Sequence, residues 1–191
     1  VTIDLKGTNA IAGHIVEILI DNAPFPESVT YVLTAADIKA QFATLTTPTT
    51  SVWGSDGTHT LSAYIRNTAG VKGNVGGEIA VVVNQIAPFA PRIPVEIAAA
   101  TDGINAVEKA AGVAVKVNLA GTGALAGDTV EVLLDGKSFS PTALKTITAA
   151  DLDAGFVMAT IPSNAAWGSD GEKIIAARVI DLAGNVGSIG G

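Results

Sequence analysis

The chain has 191 residues, a hydrophobic fraction of 48%, a charged fraction of only 15% and a formal net charge of −7. Disorder needs low hydrophobicity and high charge, and is excluded; a nucleic-acid surface needs a basic stripe, which is absent; and no apolar run approaches the roughly 18 residues of a membrane-spanning helix. Cysteine is absent, so the fold is held by core packing, metal ions or both, and not by disulfides.

Strand signals follow one another along the chain. The opening residues Val1-Thr2-Ile3-Asp4 lack the basic start and apolar stretch of a signal peptide. Thr34-Ala-Ala-Asp37 has the form of a capping box, a hydroxyl followed three residues later by an acid, and predicts one short helical turn. Leu61, Ala63 and Ile65 alternate with polar residues, as on a strand with one face in a core. Glu78–Asn84 reads as the closing strand of a first module. Ala87-Pro88-Phe89-Ala90-Pro91-Arg92-Ile93-Pro94 sets prolines three apart, the period of polyproline II, and predicts a stiff extended spacer with a module boundary near residue 90. The same run could serve as a PxxP ligand for an SH3-like partner, but it lies where a linker is needed.

After the spacer, Val95–Ala100 reads as an opening strand. Val113, Val115, Val117 and Leu119 then alternate with Lys116 and Asn118; Val130, Val132 and Leu134 form the next strand, and Ile175, Ala177 and Val179 another, with Arg178 outside. Thr148-Ala-Ala-Asp151 repeats the helical turn. Asp-Gly pairs at 56–57, 102–103, 135–136 and 170–171 supply turns.

Much of this is one pattern used twice. Sliding the chain by 114 residues brings Val115 onto Val1, and Trp167-Gly-Ser-Asp-Gly171 onto Trp53-Gly-Ser-Asp-Gly57, without a gap. Gly7-Thr8 meets Gly121-Thr122 and Val16-Glu17 meets Val130-Glu131. An all-β fold of two tandem immunoglobulin-like β-sandwich modules follows, residues 1–90 without a first strand and residues 91–191 without a last one. Such a register is expected of a piece cut from a longer array; the alternative is donor-strand exchange, with neighbouring chains supplying the missing strands.

Candidate sites are few. Gly121-Thr-Gly123-Ala-Leu-Ala-Gly127 would cradle a dinucleotide only if it opened a helix, and Thr129–Asp135 alternates as a strand instead. His14 and His59 meet Asp128 and Lys173 across the repeat, which predicts exposed surface groups and neither a catalytic triad nor a histidine metal site. Trp53 and Trp167 predict a plug at the end of each sandwich; the functional alternative is a sugar-stacking platform. Asp102, Asn105 and Glu108 surround a glycine turn and offer the hard oxygen donors that Ca²⁺ takes.

Thr148-Ala-Ala-Asp151, Asp170-Gly171 before an alternating strand, and Asp181-Leu-Ala-Gly-Asn185, in that order, resemble the Ig-like tandem extender repeats of giant type I-secreted bacterial surface adhesins of the RTX and biofilm-adhesin kind. The resemblance spans nearly the whole chain. It implies a structural extender on the bacterial cell surface, projecting distal binding domains, with Ca²⁺ stiffening the junctions. Its partners would be neighbouring repeats of the same chain, with no nucleic acid and no direct membrane insertion, and lateral or head-to-tail self-association would be open to it. The family junction V-D-x-x-A-P stands here as Val83-Asn84-Gln85-Ile86-Ala87-Pro88, with an amide where the family has an acid. In the first copy Asn67-Thr-Ala-Gly-Val71 lacks both the leading Asp and the trailing Asn of the motif. By the topology of such a sandwich, Asp181 and Asn185 are expected near Asn84 and Asp56, with Asp102, Asn105 and Glu108 at the opposite pole. An enzyme is not expected, since no nucleophile, base and orienting group recur together. The rivals are a carbohydrate-binding module and an S-layer or filament subunit built by strand exchange.

Overall fold

The computed structural model describes residues 1–49 and 51–191, which fall into two compact units, Val1–Asn84 and Gln85–Gly191. The chain is mostly β-structure with a few short helices. The first unit contains β1 (Thr2–Asp4), β2 (Ile15–Ile20), β3 (Ala23–Pro24), β4 (Thr30–Val32), α1 (Ala35–Ala40), β5 (Phe42–Thr44), β6 (Gly57–Arg66) and β7 (Gly76–Val83). One sheet pairs β1 with β5; the other runs β3-β2-β6-β7, with β4 also on β2, and the pairs in both are antiparallel. Both sheets contribute to one core, Leu5, Val16, Ile18, Phe25, Leu33, Ala43, Leu61 and Ala63 among them.

The second unit opens with a 3₁₀ turn at Ala98–Ala100 and α2 (Ala106–Ala111), then β8 (Val113–Asn118), β9 (Thr129–Leu134), β10 (Lys137–Thr146), α3 (Ala149–Ala154), β11 (Phe156–Ile161) and β12 (Ile175–Ile180). β11 pairs with β8, and β10-β9-β12 form the second sheet. The offset of the sequence repeat carries β2 onto β9, α1 onto α3, and β3 with β4 onto the single strand β10. Pro24 and Pro26 lack the N–H that a continuous ladder needs, which accounts for the split in the first unit.

The expected alternation is present on β8, where Val113, Val115 and Val117 are buried between more exposed neighbours. On β2 and β9 the four middle residues are all buried, so these central strands are covered on both faces and not half-buried. Their turns are two-residue hairpins with positive φ at both positions, Asp21-Asn22 (49° and 63°) and Asp135-Gly136 (50° and 75°), the geometry that matches strand twist.

The proline-rich segment is not a free spacer. The second unit begins at Gln85, Pro91 is buried, Phe89 N–H donates to the Thr122 carbonyl at 2.8 Å, and Val95 N–H to the Gly191 carbonyl at 2.9 Å. Polyproline geometry leaves a backbone with no internal bonds, so its donors and acceptors are open to neighbouring strands. Val95–Ala100 is correspondingly not a full strand: Glu96 exchanges backbone bonds with Lys116, and Ala98 starts the 3₁₀ turn. At the other end the residues after β12 turn back on it, with Val186 opposite Ile180 and Gly190 opposite Ala177. This is the counterpart of the pairing of Gly76 with Ala63 in the first unit.

Candidate functional site

Each helix carries the same local chemistry at its start. Thr34 and Asp37 form a reciprocal capping box on α1, and Thr148 and Asp151 form one on α3. Hydrogen bonds from Thr34 and Thr148 hold the two carboxyls below the ordinary carboxylate range. A third box stands on α2, where Asn105 Oδ1 accepts from Val107 and Glu108 N–H, and Glu108 Oε2 accepts from Asn105 N–H at 2.9 Å. Two of the three oxygen-donor residues expected around calcium therefore cap a helix, and Asp102 lies in the exposed turn before it. The Asn-x-x-Glu spacing was the available signal for this cap.

The second oxygen cluster is a tight turn after β12. Asp181 N–H donates to the Asn185 carbonyl at 3.1 Å, and Asn185 N–H donates to Asp181 Oδ1 at 2.8 Å. The Asn185 side-chain amide donates to Asp181 Oδ2 at 2.8 Å. In the first unit, Asp56 and Asn84 flank the paired residues Gly57 and Val83, so they share one end of the β6–β7 ladder. Among the described residues no three His, Asp or Glu side chains converge as a metal cage.

Both tryptophans pack inward. Trp53 meets Phe25 edge-on with ring centroids 5.4 Å apart, and Trp167 meets Phe139 at 5.3 Å. Phe25 and Phe139 occupy the same repeat position, a pairing that sequence reasoning missed. Trp167 is only 8% exposed and belongs to the core, which leaves it no open face for stacking a sugar ring.

His59 departs from the expected exposed group. Its Nδ1 lies 2.6 Å from Asp21 Oδ2 and its Nε2 lies 2.7 Å from the Ser55 carbonyl. Both ring nitrogens face acceptors, which suits the doubly protonated imidazolium. The bond to Asp21, then that to Ser55, raises the His59 pKa, while His59 and the Thr60 N–H lower that of Asp21. Asp21 Oδ1 also accepts from Thr60 N–H, as Asp135 Oδ1 accepts from Ile174 N–H at the matching position. A second matched acid is buried with different partners: Glu17 takes the Tyr64 hydroxyl, whereas Glu131 takes the Arg178 guanidinium, 2.7 Å from Nη2.

One surface differs sharply between the copies. In the first unit a groove of about 850 Å³ runs between β1 and β7, lined by Thr2, Asp4, His14, Ala63, Gly76 and Ile79 among others. β7 is an edge strand whose Ile79 and Val82 are 58% and 77% exposed.

No family model matches the chain, and no curated protein matches it. Among solved structures it is similar to a 1.5-MDa bacterial ice-binding adhesin (23% identity, TM-score 0.37, 95% of this chain and 52% of that one). It is also similar to a Ca²⁺-stabilized adhesin that helps an Antarctic bacterium bind ice (21%, TM-score 0.38, 94% and 39%). A third is SGBP-B of the Bacteroides ovatus mixed-linkage glucan utilization locus, in complex with a heptasaccharide (18%, TM-score 0.24, 99% and 39%). The chain thus spans about half or less of the length of each.

Proposed function

We propose that this chain is a structural extender: two tandem immunoglobulin-like repeats of a long bacterial cell-surface adhesin, with no catalytic role. The observation that supports this best is the internal repeat itself. One pattern recurs across both units, with its Phe–Trp pair, capped helical turn and buried glutamate. What recurs is the apparatus of folding, and no nucleophile, base and orienting group recur with it. No helix among the described residues is long and apolar enough to cross a membrane.

Calcium belongs to this reading as a stiffening ligand. Ca²⁺ takes six to eight oxygens, and the Asp181–Asn185 turn offers a carboxylate and an amide within one loop. Asp56 and Asn84 offer a similar pair at the end of the first unit. In the Asp102 loop Asn105 and Glu108 oxygens accept from helix N–H groups, as the Asp181 carboxylate accepts from Asn185, so calcium at either place would exchange existing hydrogen bonds for metal contacts. A ligand at 100 times its Kd that binds only the folded state adds about 2.7 kcal/mol. The test is melting temperature together with solution scattering, in millimolar calcium and in chelator. A higher Tm and a more extended profile with calcium are expected; identical curves would remove calcium from the reading.

A further inference from the structure

The bend that follows each tryptophan has the same sequence in both units, Trp-Gly-Ser-Asp-Gly, and a different side chain lies over it in each. In the first unit His59 lies there, and a Cβ built on Gly54 would be 3.0 Å from His59 Cε1. In the second unit Lys173 takes the place, its Nζ 3.8 Å from a Cβ built on Gly168. Histidine changes charge near neutrality and lysine does not. The first unit therefore has a switchable group where the second has a lysine.

The His59 side chain is only 13% exposed and joins two segments far apart in sequence. Nδ1 faces Asp21 Oδ2 in the β2–β3 hairpin, and Nε2 faces the Ser55 carbonyl in the bend. Phe25 follows Asp21 closely and Trp53 precedes Ser55, so the ring ties together the two segments whose aromatic rings meet edge-on. An ionised carboxylate and a carbonyl only accept, so this arrangement needs two N–H donors. The imidazolium has two and the neutral ring has one. The remaining proton belongs on Nδ1, where the acceptor is charged and the bond stronger. Nε2 then turns a lone pair to the Ser55 oxygen, and that contact becomes repulsive. Asp21 is the charge that faces the ring from the hairpin, and Asp56 is the other carboxyl of the bend. On β7 the residues paired with Thr58, His59 and Thr60 are Val82, Val81 and Ala80, which carry no charge.

We propose that His59 is a pH-operated latch on the bend at residues 54–56: as imidazolium it ties the bend to the β2–β3 hairpin, and as neutral imidazole it keeps Asp21 and releases Ser55. The bonds to Asp21 and then Ser55 favour the charged form, so the latch is closed at the ordinary histidine value of 6.5 and opens above it. When it opens, the chain beside Trp53 gains freedom against Phe25. The second unit has no histidine, and its bend lacks the device. The inference rests on contacts within the first unit and needs neither the extender reading nor calcium.

The experiment is a pH titration of the full chain by NMR, in chelator so that calcium plays no part. The His59 ring signals and the amides of Ser55 and Asp56 should move with one shared midpoint, above 6.5. The two tryptophans give two indole signals; that of Trp53 should follow the same curve and that of Trp167 should not. Asp21→Asn keeps an oxygen for the Thr60 N–H and removes the charge, so it should bring the midpoint down. His59→Gln should abolish the step in the bend and in the Trp53 indole. A midpoint at or below 6.5, bend signals that do not follow His59, or equal movement of both indoles would overturn the proposal. So would a step that survives in His59→Gln, which would belong to His14.

Discussion

The two units share a pattern, and each carries a different part of it: the second has the extended segment that runs ahead of β8, and the first has the closing strand β7 beside β6. In the second unit Val95 and Ile97 from the extended segment and Ile104 from the loop that follows pack, partly buried, against the core. The first unit has the same central strands and presents Ile79 and Val82 exposed on its edge strand β7. The difference teaches that a glycine is read through its neighbour: Gly190 lies against the Ala90–Pro91 backbone, whereas the matching Gly76 faces open space. The strands between Val113 and Gly191 and their matches make a frame, and the extended segment finishes it.

The largest expected effect is at the tryptophans. Trp167→Ala should destabilise the second unit by about 3–5 kcal/mol, the range for a buried aromatic, read as an earlier urea midpoint. Trp53→Ala should cost less, because Trp53 is partly exposed and packs on its core from outside. Equal losses would show that the cores are equally closed. The most direct test sets matched glycines against each other. Gly190→Val forces a side chain into the Pro91 segment and should cost about 1–3 kcal/mol as overpacking, whereas Gly76→Val should stay within about 0.5 kcal/mol. Replacing Pro88, Pro91 and Pro94 together with glycine should likewise lower the melting temperature of the second unit and spare the first. Single-tryptophan variants that retain either Trp53 or Trp167 would report each unit separately.

Smaller effects sharpen the comparison. Asn105→Ala removes the cap of α2 and should cost about 1 kcal/mol; a much larger loss confined to calcium buffer would instead mark Asn105 as a metal ligand. The smallest effect is on pH. Because the His59 pKa is raised, its contribution is complete below the ordinary value of 6.5 and is lost as pH rises through the raised one. Asp21, lowered from 3.8, loses its contribution only as pH falls through the lowered value. The first unit should therefore be steadiest between those limits and soften slightly on the alkaline side. His59→Lys, which copies the second unit, should flatten that dependence in pH-dependent melts.

Side-chain alternation made the inward residues of β8 legible in the sequence, and the Thr-x-x-Asp spacing gave the helical turns. Landmarks such as Trp53 and Trp167 gave the repeat. Burial of β2 and β9 on both faces was not legible, since the partners that let Glu17 and Glu131 be buried, Tyr64 and Arg178, come from across the sheet. His59 was misjudged for a related reason: its acceptor, Asp21, is distant in sequence, and the match to Lys173 suggested surface. The proline-rich stretch misled because composition reports stiffness and says nothing of what a stiff segment lies against. For the oxygen clusters, residue type gave the donors, while the caps and turns that use them depend on backbone geometry.

The closeness of Pro88 to Gly187, Pro91 to Gly190 and Val95 to Gly191 has a mechanical meaning. Sequence number rises in the same direction along both segments, so they run side by side in parallel. A load applied between Gln85 and Gly191 would draw two parallel neighbours in opposite directions. Their contacts would then be sheared together, not peeled one at a time. Forced unfolding is governed by the barrier along the pulled direction, and shear presents that barrier whole. The segment that finishes the second unit's core therefore also sets how that unit yields under tension.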